Sequence, residues 1–113
     1  MRPLTLIKTL EYYDVPQILL VVDSIGTNYL CTLYKKDAES GYLYLGVQIS
    51  ETRLTVFTDG KFELRDAYVH PEADRGLYLV AATDGALHVV KPLQLQEIPE
   101  EMLPEAGYTF SIA

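Results

Sequence analysis

The sequence predicts an α+β domain: an antiparallel sheet of five to six strands, a meander plus a hairpin, with a short helical segment at about 50–70 packed on one face. Three observations carry this prediction. Apolar residues alternate in several short runs, most clearly from Tyr42 to Ile49. Asp84-Gly85 sits between two apolar runs as a two-residue hairpin turn, because both residues tolerate positive φ. Only Ser50–Pro71 shows apolar residues at three-and-four spacing.

Taken in order, Leu4, Leu6 and Leu10 mark a first strand, and Glu11–Pro16 breaks it with Asp14 and Pro16 as turn residues. The run Ile18–Val22 is apolar on both faces, as in a strand covered on two sides. Ser24–Asn28 turns the chain, Asn28–Tyr34 returns as a strand, and Lys35–Gly41 is a polar loop. From Tyr42, the residues Leu43, Leu45, Val47 and Ile49 form a core face, while Tyr42, Tyr44, Gly46 and Gln48 form a partly wet one.

Ser50 is placed to cap a helix, with Glu51 favoured in its first turn. Leu54 and Phe57 share a face, Gly60 supplies a left-handed stop, and Leu64, Ala67 and Tyr68 predict a second helical turn before Pro71. Glu72–Gly76 is an exposed loop, and Leu77–Thr83 with Ala86–Val90 forms the hairpin around Asp84-Gly85. The stretch 92–113 is an acidic, Pro-containing strap anchored by Leu93, Leu95, Ile98, Met102 and Leu103, with alternation at Tyr108, Phe110 and Ile112 for a short closing strand. The whole of 1–113 reads as a single domain.

Composition narrows the function classes. Nine tyrosines and no tryptophan give the chain side chains with an apolar ring and a polar tip, suited to half-buried sheet faces and interfaces. The net charge of −7 argues against nucleic acid, whose phosphates need clustered Lys and Arg. The acidity is uneven, net −2 over residues 1–60 and net −5 over 61–113; any steering favours a basic partner, and solubility is the first reading of such a charge. A single cysteine, Cys31, excludes an internal disulfide and any multi-cysteine metal site. No secretory signal and no membrane-length run is present, and the expected location is cytoplasmic.

Chemistry-bearing motifs are sparse. His70-Pro71-Glu72 has the H-x-E of zinc deaminases, but the two thiolate ligands are missing. His70, Glu72 and Asp74 alternate in a loop, a pattern more typical of solvated surface than of a metal site. Cys31, mid-strand, reads as a buried structural thiol, and His88 as a surface position. Glu63, Arg65 and Asp66 read as ion-pairing groups. No catalytic set, metal-ligand set or cofactor-binding loop emerges.

Several segments carry a resemblance: Glu11–Pro16 (E-Y-Y-D-V-P), Tyr42–Ser50 (Y-L-Y-L-G-V-Q-I-S), Arg53-Leu54, Asp59–Tyr68 (D-G-K-F-E-L-R-D-A-Y), Pro71-Glu72 and Leu103–Gly107 (L-P-E-A-G). In this register the chain resembles an uncharacterised family of small bacterial proteins, described only as a domain of unknown function. The resemblance implies a bacterial, cytoplasmic protein and carries no activity, ligand or catalytic residue.

Two functional expectations follow. The first is a non-enzymatic protein-interaction module or homo-oligomeric accessory protein that contacts another protein or a second copy through Tyr42 and Tyr44 on an exposed strand face. The alternative is a small enzyme or ligand-binding protein with its site near Arg65, Asp66, Tyr68 and His70.

Overall fold

The computed structural model describes residues 2–37, 41–73 and 75–110. Six strands follow one another as β1 (Arg2–Tyr13), β2 (Val15–Val22), β3 (Asn28–Asp37), β4 (Gly41–Gln48), β5 (Leu77–Thr83) and β6 (Ala86–Leu93). Each pairs antiparallel with the next, and β6 returns to β1, so the sheet closes into a barrel. The closing seam is short: Arg2 opposite Val89, Pro3 opposite His88 and Leu4 opposite Leu87.

Closure overturns the expected open α+β sheet. The physical reason lies in the strands themselves. Register shifts between Leu33 and Lys35, between Leu79 and Val80, and at three places along β1 add local twist and bend. A six-stranded meander coiled this strongly brings its two edge strands together, and pairing them satisfies backbone groups that an open sheet would leave bare.

Side-chain alternation then sorts two apolar clusters. One fills the lumen and takes residues from every strand: Leu4, Leu19 and Val21, Tyr29 and Cys31, Tyr44, Val80 and Val89. The other lies on the outer surface of β2 to β5, with Ile18, Leu30, Leu45, Val47 and Leu77. Directly paired residues confirm the sorting, since Leu19 faces Cys31 in the lumen while Leu30 faces Val47 outside. Gly46 serves the lumen by being small. A Cβ there would stand 3.0 Å from Val80 Cγ2 and 3.3 Å from Cys31 Sγ.

The helical passage is an external cover and does not organise the fold. Helix α1 (Glu51–Thr58) and the single turn α2 (Asp66–Val69) contribute Phe57, Ala67 and Tyr68 to the outer cluster, joined by Leu64, Met102 and Phe110. Ser50 caps α1 by accepting from Arg53 N–H at 3.2 Å. Glu72 in turn accepts from the Ser50 amide at 2.9 Å and its hydroxyl at 2.8 Å. Burial alone would raise the Glu72 carboxyl, but these two bonds and the charges of Arg75 and Arg53 outweigh it and hold the group below its ordinary value.

Pro92 and Leu93 belong to β6, so the acidic segment proper begins after them and carries two short 3₁₀ turns, Leu95–Glu97 and Glu100–Met102. The backbone from Tyr108 to Phe110 is irregular, and Ile112 of the expected closing strand lies outside the described residues.

Candidate functional site

The two ends of the lumen are built from opposite chemistry. At one end stand the start of β1, the β2–β3 turn and the last residues of β4. There Asp23, 6% exposed, is the one buried charged residue among the described residues. Its Oδ1 accepts from the amides of Ile25 at 3.1 Å and Thr27 at 2.9 Å, and its Oδ2 accepts from the Tyr29 hydroxyl at 2.9 Å. Arg2 donates to the same hydroxyl at 2.7 Å, approaches the carboxylate at 3.6 Å and lies 5.0 Å over the Tyr78 ring. Gln48 Nε2 adds a bond to Tyr29 Oη at 3.4 Å. Burial would raise the Asp23 carboxyl, yet the bonds from Thr27, Tyr29 and Ile25 and the Arg2 charge prevail and lower it. This end is plugged by a satisfied polar network.

The opposite end is open. Strands β1 and β2, the start of β4 and the Asp84-Gly85 hairpin surround a cavity of about 370 Å³ whose wall includes Leu6, Leu19, Tyr42, Tyr44, Ala82 and Leu87. The Tyr44 hydroxyl, which might have made this wall polar, donates to the Pro16 carbonyl at 2.8 Å. Burial pushes that phenol up to about 12, so it stays a neutral donor. Asp84 stands at the rim. Gly41 also lines the mouth at φ +79°, and a Cβ there would collide with the Ala82 carbonyl oxygen.

Residues 2–111 match the family of unknown function DUF6575. The chain belongs to that family. No curated protein and no solved structure matches it. Within this DUF6575 chain, among the described residues, no three His, Cys, Asp or Glu side chains gather to hold a metal, and no helix is long and apolar enough to cross a membrane.

The residues singled out from sequence fall into two groups. Tyr42 and Tyr44 do come together, but not on an exposed sheet face: Tyr44 is 1% exposed, and both rings line the mouth of the lumen. The expectation of a wet face failed because closure turned that face inward. Arg65, Asp66, Tyr68 and His70 do not line the mouth, and their contacts run within the chain. Arg65 donates to both carboxylate oxygens of Glu100 at 2.5 Å and to the Pro104 carbonyl at 3.1 Å, tying the acidic segment down. Tyr68 is fully buried, shares a hydrogen bond with Thr32 and donates to the Leu30 carbonyl at 3.2 Å. Asp66 and His70 offer backbone carbonyls to Arg53, whose guanidinium lies over the Phe57 ring. Glu72, considered as a ligand, is the brace of the α1 cap, and Asp74 lies outside the described residues. Cys31 is buried, and burial pushes its thiol up to about 12, away from nucleophilic use.

Sequence reasoning missed Leu6, Leu19, Ala82 and Leu87. Ile18–Val22, apolar on both faces, was the available signal, since it required two separate apolar environments. The identity of the second environment, a lumen, needs the β1–β6 pairing and is not local information.

Proposed function

We propose that the protein is a binding protein that holds a small, uncharged, largely apolar molecule in the open mouth of its barrel. The observation that supports this most is the asymmetry of the lumen. One end is sealed by the Arg2–Asp23–Tyr29 network, and the other leaves aliphatic and ring surfaces facing a cavity of about 370 Å³. Barrel mouths with a few fixed polar groups are recurrent ligand sites, and this volume lies in the range of roughly 300–1,000 Å³ such sites occupy. Because the Tyr44 hydroxyl is spent on Pro16, the wall offers ring faces more than hydrogen bonds, which favours a flat or aliphatic neutral molecule. The reading places the protein in the cytoplasm, where a buried free thiol such as Cys31 is unremarkable.

The test is titration with the neutral fluorophore N-phenyl-1-naphthylamine. The wild type should enhance its fluorescence with little dependence on salt, since no charge is engaged. Ala82→Phe fills the mouth and Leu6→Arg places a charge at a position already 47% exposed. Both variants should weaken binding by roughly tenfold or more, the equivalent of about 1.4 kcal/mol. Unchanged affinity in folded variants would remove the mouth as the site.

Self-association is a second reading with its own support. Leu6, Ile7, Tyr12 and Tyr13 are exposed along β1, which runs past the end of β6 so that its outer edge has no partner strand among the described residues. A second copy presenting the same edge is the occupant that a two-fold contact would bring. Light scattering of wild type and Ile7→Lys distinguishes it: a dimer that the charge dissociates supports the contact, and a wild-type monomer at high concentration removes it.

A further inference from the structure

A second cavity, of about 400 Å³, lies outside the barrel between the β1–β2 hairpin and the C-terminal segment. We propose that this seam binds a small organic cation, an alkylated or quaternary ammonium, between the Glu11 carboxylate and the ring of Tyr13.

The chemistry of the walls leads there. Glu11 and Glu105 supply two carboxylates, Tyr13 and Tyr108 two rings, and Ile18, Leu64 and Pro104 an apolar floor. Among the described residues no Lys, Arg or His nitrogen reaches ion-pair distance of either carboxylate. Glu11 is half-buried, and among the described residues no cationic side chain pairs with it. The Tyr108 hydroxyl donates to Glu11, and burial together with that negative neighbour raises the phenol, keeping it a neutral donor. Tyr108 is fixed at its other end too, because its carbonyl accepts from the Leu64 amide at 2.9 Å. The carboxylate and one ring are therefore held in place before a ligand arrives, which lowers the ordering cost of binding.

Carboxylate and aromatic faces together select a cation, through charge and through the negative face of the ring. The apolar floor narrows the class further. A bare ammonium is strongly hydrated and gains nothing from Ile18 or Leu64, whereas N-alkyl groups bury against them. This seam differs in kind from the mouth, which takes neutral molecules and lies across the sheet from it. Either site can fail without the other.

The experiment compares choline with 3,3-dimethylbutan-1-ol, the neutral molecule of the same shape, by two-dimensional NMR titration of the full chain. Choline should shift resonances around Tyr13, Glu105 and Tyr108, should lose affinity with added salt, and should bind roughly tenfold or more tightly than the alcohol. Glu11→Gln keeps an acceptor for Tyr108 and removes the charge, and Tyr13→Leu removes a ring that is 75% exposed, so both variants should fold. Each should weaken choline binding, while Ala82→Phe at the mouth should leave it unchanged. Equal affinity for choline and the alcohol, unchanged binding in Glu11→Gln, shifts spread over all the carboxylates, or no binding at millimolar choline would overturn the proposal.

Discussion

The closed and open ends of the lumen use the same element, an antiparallel barrel strand, for opposite purposes. At the closed end each polar group meets a partner: Asp23 alone accepts three hydrogen bonds, and Arg2 bridges it to Tyr29 and Tyr78. At the open end the Tyr44 hydroxyl is turned onto the backbone of Pro16, and apolar surface is left uncovered. The difference separates two demands on a small domain. Fixing the barrel falls to a network in which every lost bond is costly, and the surface available for recognition sits where side chains can change with little effect on folding.

This comparison can be broken by measurement. The largest expected effect is at the plug. Asp23→Ala strands the Ile25 and Thr27 amides and the Tyr29 hydroxyl, and should lower unfolding stability by about 2–4 kcal/mol in urea titration. The same network sets a pH dependence. The folded-state carboxyls of Asp23 and Glu72 are both lowered, so their contribution is complete above the ordinary carboxylate range and is lost as pH falls through the lowered values. Asp23→Asn should flatten that acid loss, which chemical unfolding across an acidic pH series will show. A smaller effect is expected at the mouth. Leu87→Ala, at a half-buried position, should cost about 1 kcal/mol. A cost equal to that of Asp23→Ala would erase the distinction between the ends. Smallest of all, Asp84→Asn keeps a residue suited to φ 51° before Gly85 and should shift stability by less than about 0.5 kcal/mol.

What the sequence revealed about this fold was local. The Asp84-Gly85 turn, the Ser50 cap and the alternation of β4 depend on residues within one turn or strand, and each is present in the structure. Barrel closure joins Arg2 to Val89 and leaves no mark in any single segment. That missing pairing also misplaced the candidate site. Tyr42, Tyr44, Gly46 and Gln48 alternate with the aliphatic residues of β4 and so resemble a solvated face, because tyrosine is compatible with water as well as with a core. Only the return of β6 to β1 shows that this face lines a lumen. In the helical cluster Arg65–His70 the distant contacts were equally illegible: Arg65 meets Glu100 and Pro104, and Tyr68 meets Thr32 and Leu30, which uses up the hydrogen-bonding capacity of those two side chains.

The three-residue seam between β1 and β6 has a kinetic side as well. Four of the six strand pairings join neighbours through short connections, the β4–β5 pairing closes the longer passage 49–76 that carries both helices, and the β1–β6 pairing must bring together segments separated by most of the sequence. Loop-closure entropy rises with that separation, so the five-pair meander can assemble first and the seam last. Run in reverse, the shortest and most remote ladder is the natural first place to part. The barrel therefore has a built-in fracture line, and opening it would expose the lumen while the hairpins remain intact.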